Sequence, residues 1–371
     1  MHISSFTAGS GRTREYLERR AIALAILSAG VWTTCPAFAQ TDSETSDPSA
    51  VAEAEHHHHH EHHPGAEPIG VMGAHVHGAD QWMISYRYMY MRMEGNLMGT
   101  ESVSPQAVRD AGYMGVPTSM DMHMHMVGAM YAPIDELTFM LMAPVVQNLM
   151  HSQAGMPLGR VENDMESAGI GDMRFGGIVR IFDIERQQLL LGVGLGLPTG
   201  SIYVRAQGAS GPRLGYPMRP GGGSVAANPT VTYTGGADIV TWGIQLAGWF
   251  PLHGNADDYQ LGNEFHGSVW AGVQPVPWLD LTARMSSDAR DDVSGADAEL
   301  DPMMAPPMNP RTQGYFRMSA HLGFGVRIPV DYLDEHRLAF EFGLPFYQDV
   351  SGPQLASAYT FTVGWQWTPE H

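Results

Sequence analysis

The chain has 371 residues and a formal net charge of −19, and all 20 of its basic residues are arginine. This acidic balance excludes a nucleic-acid binder that works by neutralising phosphates, because such binding needs a basic face. A charged fraction of 16% excludes coiled coils and long helical repeats, which are rich in charged helix formers. The single cysteine, Cys35, excludes a disulfide framework and a structural Cys-zinc site.

Residues 1–39 contain the three parts of a secretory signal peptide. Basic residues between Arg12 and Arg20 precede an apolar run over 21–31, and Ala37-Phe38-Ala39 forms a small-x-small cleavage site. The apolar run is too short to span a bilayer. We therefore predict export into a bacterial envelope, with Cys35 removed together with the signal.

Residues 40–80 are predicted to be a disordered, histidine-rich periplasmic segment. Most of this stretch consists of Asp, Glu, Ser, Pro and Ala, so it cannot bury enough apolar surface to offset its ordering entropy. Imidazole is a good ligand for copper, nickel and zinc, so the histidine tract predicts metal capture. Repeat slippage in the gene, without a binding role, is the alternative. The candidate ligands are His56, His57, His58, His59, His60, His62 and His63.

From residue 81 onward, apolar residues recur with a period of two. In 358–367 the apolar face carries Tyr359, Phe361 and Val363, which is typical of a lipid-facing β-strand. Counting such runs predicts twelve strands. They lie at 81–93, 120–131, 136–148, 169–182, 187–198, 228–236, 239–251, 262–273, 278–290, 314–328, 336–349 and 357–367.

The predicted connections alternate between long and short. The long ones include 94–119 and 199–227, and the short ones include 132–135 and 274–277. Short periplasmic turns and longer outer loops are typical of outer-membrane barrels. Residues 81–371 are therefore predicted to be all-β, a transmembrane antiparallel up-and-down barrel in lipid with both termini in the periplasm. A soluble secreted sandwich is the alternative, but it would have loops of similar length at both ends.

The strand faces opposite the apolar ones predict the lumen lining. Mixed-sign charges there have two interpretations: a polar channel whose charges set selectivity, or ion pairs that fill the interior. A narrow lumen, or one plugged by loops or by the N-terminal segment, is expected. The predicted lining residues are Arg87, Asp172, Arg174, Arg180, Asp280, Arg284, Arg317, Arg327 and Glu341.

Methionine and histidine alternate in the first two predicted strands. Met89, Met91 and Met93 should point inward, because the tyrosines between them take the lipid side. On the second strand, if Met122, Met124 and Met126 face lipid, then His123 and His125 face inward. Thioether and imidazole on one wall would suit Cu(I) or Ag(I). Ordinary packing of adaptable methionine side chains is the alternative.

No enzymatic motif supports catalysis in this chain. A G-x-S-x-G elbow, an H-E-x-x-H pair and a P-loop are all missing from the sequence. The chain is therefore predicted not to be an enzyme, and a barrel hydrolase acting on lipid or peptide ranks last.

Several short motifs carry a family resemblance. They are Gly169-Ile170-Gly171-Asp172, Leu197-Pro198-Thr199-Gly200 and Gly343-Leu344-Pro345-Phe346-Tyr347-Gln348-Asp349, within similarity over about residues 70–367. Here the chain resembles the transporter-like outer-membrane family named for the meta-pathway of phenol degradation. The resemblance implies an outer-membrane barrel with a transport role and provides no catalytic residues.

Two functional hypotheses follow. The first is an outer-membrane barrel that passes or binds a small solute. The second is an envelope protein that handles copper, silver, nickel or zinc through the histidine tract and the Met/His strand faces.

Overall fold

The computed structural model describes residues 66–369, apart from 157–158, 185, 207–210 and 331–332. The predicted signal peptide and histidine tract lie outside the described residues and stay predictions. In the described part of the chain, no helix is long and apolar enough to cross a membrane. The short helix α1 (Pro105–Asp110) begins after Ser104, whose hydroxyl oxygen accepts a hydrogen bond from the backbone N–H of Ala107.

Most of the described chain forms β-strands. β10 and β13 form a small two-stranded sheet, and the other strands belong to one 13-stranded sheet. In chain order the strands are β1 Trp82–Gly99, β2 Glu101–Val103, β3 Gly115–Ile134, β4 Leu137–Met156, β5 Gly159–Ile170, β6 Met173–Ile184, β7 Gln187–Leu197, β8 Ala226–Ala237, β9 Val240–Pro251, β10 Tyr259–Gln260, β11 Glu264–Val276, β12 Leu279–Arg290, β13 Ser294–Gly295, β14 Tyr315–Arg327 and β15 His336–Trp367.

The large sheet closes on itself because β15 pairs with both β14 and β1. Its first half, up to Val350, pairs with β14, and its second half, up to Trp367, pairs with β1. Each half of β15 runs antiparallel to the strand it pairs with, β14 or β1. The two halves cross the wall in opposite directions. The predicted all-β, antiparallel up-and-down barrel is therefore confirmed. The predicted strands at 336–349 and 357–367 are the two crossings of one continuous strand.

The two ends of the barrel differ in loop length, as the sequence predicts. At one end, here called the short-turn end, only two residues separate β3 from β4 and β8 from β9. Asp238 in the second of these turns has a φ of 48°, the left-handed conformation that tight hairpins require. The opposite, long-loop end carries the connection 198–225 between β7 and β8. β1 begins and β15 ends at the short-turn end.

Side chains alternate between an apolar outer face and a mixed inner face. On the outer face of neighbouring strands, rings cluster near the short-turn end, where Trp82 and Trp367 lie with ring centroids 4.9 Å apart. Such an aromatic belt is typical of a barrel at a membrane–water boundary. The exposed apolar residues of the outer face include Phe139, Phe175, Val193, Leu195, Leu246, Leu281, Leu322, Phe342, Leu344 and Val363.

The predicted strand at 169–182 is divided in the structure. β5 pairs only with β4 and extends the wall at the long-loop end, whereas β6 pairs with the other part of β4 and with β7. The break falls at Gly171 and Asp172, where the Gly171 N–H donates to the carbonyl of Pro144 at 2.8 Å. Asp172 therefore lies between β5 and β6, outside the strand pairing, and its side chain contacts the loop after β7.

Replacing Val193 by arginine tests the assignment of the outer face. Val193 lies in the middle of β7 and its residue is 73% exposed. An arginine there would face the bilayer core, so V193R should lower the free energy of unfolding by about 2–4 kcal/mol. Reversible denaturant unfolding of protein folded into lipid vesicles measures this change.

The matched control is M114R, because Met114 is 50% exposed but lies in the connection before β3 at the long-loop end. An equal loss of stability in both variants would contradict a lipid-facing β7.

Candidate functional site: a plugged lumen lined by methionine and paired charges

Residues 66–80 lie inside the barrel near the short-turn end, and we call them the plug segment. Lumen side chains hold its backbone: Gln245 Nε2 donates to the carbonyl of Met72 at 2.9 Å, and Arg337 Nη2 to that of Glu67 at 2.8 Å. Its apolar side chains, such as Ile69, are buried. The expectation that 66–80 would be disordered is therefore wrong, because small apolar residues and free backbone carbonyls find partners on the inner wall. Residues 40–65 lie outside the described residues.

The described parts of the long loop 198–225, which exclude 207–210, fold inward at the other end. Its residues Leu214 and Met218 are buried against Met120 and Met150, which lie on the inner face of β3 and β4. Whether this loop acts as a plug could not be decided from the sequence, since a Gly-rich loop carries no directional signal. The tertiary structure places it over the lumen.

Asp172 fastens this loop to the wall. Its carboxylate accepts the backbone N–H of Gly200 at 2.9 Å and that of Gly222 at 2.8 Å. A Cβ on Gly200 would lie only 2.6 Å from the Cα of Gly221, so the two loop strands approach closely only because both positions are glycine. Asp172 was predicted to line the lumen, and the structure instead uses it as an anchor for the loop.

Methionines from adjacent strands form a ladder on the inner face. The β1–β3 register puts Met89 opposite Met124, Met91 opposite Met122, and Met93 opposite Met120. Directly opposite side chains in an antiparallel pair have Cβ atoms about 4.5–5.5 Å apart. We call these six residues the methionine ladder. It continues across the wall, since Met120 pairs with Met150 and Met150 with Met165.

The same register corrects the expected position of His123 and His125. Met122, Met124 and Met126 share the inner face with Met89, so the two histidines lie on the outer face. There His123 Nδ1 lies 2.8 Å from the hydroxyl of Tyr88, and His125 Nδ1 lies 2.7 Å from that of Tyr86. The alternation of Met and His along β3 shows that they lie on opposite faces, but it does not say which face points into the lumen. The pairing with β1 decides this.

Paired charges fill the lumen beside the plug segment. Arg284 on β12 forms a bidentate ion pair with Glu341 on β15, in which Nε lies 3.0 Å from Oε2 and Nη2 contacts Oε1. Asp280 pairs with Arg337, a residue that the sequence analysis missed although it shares the inward parity of Glu341. Buried pairs of this kind satisfy both charges but add little net stability.

The middle of the lumen holds a second charged group. Arg317 lies 3.6 Å from Asp288, whose other oxygen is 2.5 Å from His266 Nδ1. Arg317 also reaches the sulfur of Met91 at 3.8 Å, so the charged wall meets the methionine ladder here. Asp288 and His266 were not predicted, although Asp280, Arg284 and Asp288 follow the same inward spacing along β12.

The remaining predicted lining residues occupy three different settings. The guanidinium of Arg174 stacks on the ring of Trp249 at 4.5 Å, a cation–π contact. Arg180 pairs with Asp183 at 3.4 Å, and Arg327 is the last residue of β14. Arg87 lies on the inner face of β1, directly opposite Gly364 and Met126.

The closed antiparallel barrel has a counterpart among solved structures. The crystal structure of an outer-membrane channel from Pseudomonas putida F1 matches with a TM-score of 0.55 at 9% identity, covering 81% of this chain and 99% of that one. Two toluene transporters overlap less: TbuX from Ralstonia pickettii (TM-score 0.40, 9% identity, 80% and 92% covered) and TodX from Pseudomonas putida (0.37, 9%, 78% and 89%). The first match shows the fold.

Residues 124–330 match the family described as "Putative MetA-pathway of phenol degradation". The matched region is more than half of the chain, so the protein belongs to this family, which confirms the resemblance seen in the sequence motifs. No curated protein matches the sequence.

His77 is the titratable group most isolated from water in the plug segment. Its residue is 8% exposed, its backbone N–H donates to Thr138 Oγ1 at 3.0 Å, and its ring Nε2 has no hydrogen-bond partner within the described residues. Burial and the neighbouring His75 lower the pKa of His77 to about 3. The imidazole is therefore neutral while the plug segment is docked.

Acid should release the plug segment. Because the pKa of docked His77 lies below that of a free histidine, its contribution to docking is complete above about pH 6.5 and is lost as pH falls toward 3. Each pH unit in this window should weaken docking by up to about tenfold. Protease cleavage within residues 66–80 should accelerate accordingly.

H77Q, which cannot be protonated, should flatten this profile, whereas H75Q should keep most of it. An identical acid response in wild type and H77Q would contradict the role of His77.

Proposed function

We propose that this protein is a non-enzymatic outer-membrane channel that passes or binds a small solute. The observation that carries the proposal is a closed antiparallel wall with an apolar outside and a charged, thioether-lined inside. In a membrane, a wall of this kind leaves no unpaired strand edge facing lipid. The short-turn end, with both described chain ends, then lies in the periplasm, as the usual loop asymmetry of such barrels implies.

The lumen chemistry favours a solute with an apolar body and a polar group. Thioethers of the methionine ladder are soft, adaptable surfaces that pack against varied apolar shapes. The charged pair of Arg317 and Asp288 adjoins the ladder at Met91, and the lumen also holds the stacked pair of Arg174 and Trp249. The Pseudomonas putida F1 protein with the same fold is an outer-membrane channel, which supports transport as the role.

Passage requires a movement of the plug segment or of loop 198–225. The hydrogen bonds that hold the plug segment are mostly single bonds to side chains of the wall, as in the contacts of Thr241 with the Ala66 carbonyl and of the His77 N–H with Thr138. None of these bonds belongs to the ladder of the wall. The plug segment can therefore leave without opening the barrel.

A second candidate function is the binding of a soft metal ion. The observation that favours it is the cross-strand register of the methionine ladder, which sets pairs of thioethers face to face. Thioethers suit Cu(I) and Ag(I) rather than harder ions. Among the described residues, no group of three or more His, Cys, Asp or Glu could hold a metal. Copper, nickel or zinc would then bind at His56–His63, outside the described residues.

Removing the plug segment tests the channel. Deletion of residues 66–79 should raise the unit conductance in planar bilayers several-fold, because the segment occupies the lumen near the short-turn end. A deletion of equal length, 41–54, should leave conductance unchanged. No conductance and no solute uptake in any of the three proteins would contradict a channel.

Silver binding tests the second candidate. Changing Met89, Met91, Met122 and Met124 together to leucine should abolish Ag(I) binding measured by calorimetry on detergent-folded protein, since leucine keeps the volume but removes the sulfur. The control changes Met285 and Met318 to leucine. Deleting 56–63 should lower copper or nickel loading but spare silver. If the fourfold leucine variant binds as much silver as the wild type, the methionine ladder has only a packing role.

A further inference from the structure

Arg87 is a buried cation to which the described residues offer no hydrogen-bond or ion-pair partner. Only 7% of the residue is exposed, and its Nε is fully enclosed without an acceptor. A buried charge normally has a partner, because leaving it alone costs much more than burying a pair. The lumen cations Arg284 and Arg337 follow this rule, since each pairs with a carboxylate. The isolation of Arg87 therefore needs a reason.

The carboxylates whose charges act on Arg87 are already engaged elsewhere. They are Glu67 in the plug segment and Glu341 on β15. Glu67 lies 2.8 Å from His75 Nδ1, and both oxygens of Glu341 are bound by Arg284. Neither carboxylate makes a hydrogen bond or an ion pair with Arg87, and the Nε of Arg87 therefore stays without an acceptor among the described residues.

The immediate surroundings of Arg87 are apolar and small. Directly opposite it lie Gly364 on β15 and Met126 on β3. Gly364 leaves room that Ile69 of the plug segment fills: a Cβ there would lie 2.5 Å from Ile69 Cδ1 and 3.6 Å from Arg87 Cγ. Ile69 therefore fills the space beside Gly364 and the aliphatic stem of Arg87.

We propose that Arg87 forms a subsite for a small monocarboxylate with an apolar body, which displaces Ile69 from the space beside Gly364 and binds the guanidinium. The planar guanidinium fork matches a carboxylate with two parallel hydrogen bonds. The thioether of Met126 and the bare backbone of Gly364 would contact the apolar body. This inference rests on the proposed solute channel and names the class of its solute.

Equilibrium dialysis of radiolabelled benzoate with the detergent-folded full chain tests the subsite. Benzyl alcohol serves as the neutral probe of the same shape. R87M should weaken benzoate binding at least tenfold, about 1.4 kcal/mol, and leave benzyl alcohol binding unchanged. I69A should tighten benzoate binding, because it removes the competing side chain. R109M, which removes one arginine from α1, controls for net charge.

Three results would overturn the subsite: equal benzoate affinity in R87M and wild type, equal affinity of wild type for benzoate and benzyl alcohol, or displacement of benzoate by chloride at similar concentration. R87M should also fold and unfold like the wild type or resist unfolding better, since it breaks no bond. If R87M unfolds readily, Arg87 has a structural partner and the inference fails; R87Q gives an independent check.

Conductance separates this inference from the proposed function. If wild type and R87M both conduct but bind benzoate equally well, the channel is supported and the carboxylate subsite is wrong. If wild type binds benzoate through Arg87 but no variant conducts, the subsite stands on a binding protein without a channel.

Discussion

Backbone pairing is the constraint from which the rest of this structure follows. A sheet in lipid has no water to satisfy its edge N–H and C=O groups, so it must close. Here closure depends on β15, which pairs with β14 through its first half and with β1 through its second. Once the wall is closed and its outer face is mainly apolar, charged strand residues such as Arg284 and Glu341 find their partners inside. The lumen network is a consequence of closure.

The interior combines rigid and removable parts. Pairs such as Arg284 with Glu341 belong to the wall itself, and Asp172 ties loop 198–225 to the strand it leaves. The plug segment, in contrast, is held by hydrogen bonds such as the one from Gln245 to the Met72 carbonyl, and its Ile69 fills the space beside Gly364. Its buried His77 adds a neutral imidazole that resists protonation while docked. In the proposed channel, a solute carboxylate, a proton on His77 and the docked plug segment would compete for the same end of the lumen.

The methionine ladder illustrates how register decides chemistry. In a β-strand, a shift of one residue moves every side chain to the opposite face. The same alternating Met and His could have given an imidazole-lined lumen or a thioether-lined one. The pairing of Met89 with Met124 gives the thioether-lined wall and leaves His125 bonded to Tyr86 outside. A lumen of this kind suits soft or apolar cargo.

The sequence by itself determined the all-β class, the crossings of the wall and the alternation of long and short connections. These features depend on local periodicity, which is visible in the sequence itself, for example in the alternate apolar positions Tyr359, Phe361 and Val363. It also placed Arg284 and Glu341 on the inward face. Only the tertiary structure decided the inner face of β3, the docking of residues 66–80 and the isolation of Arg87. Those depend on which strand lies beside which and in what register, and no local pattern encodes contacts between residues as distant as Arg87 and Gly364.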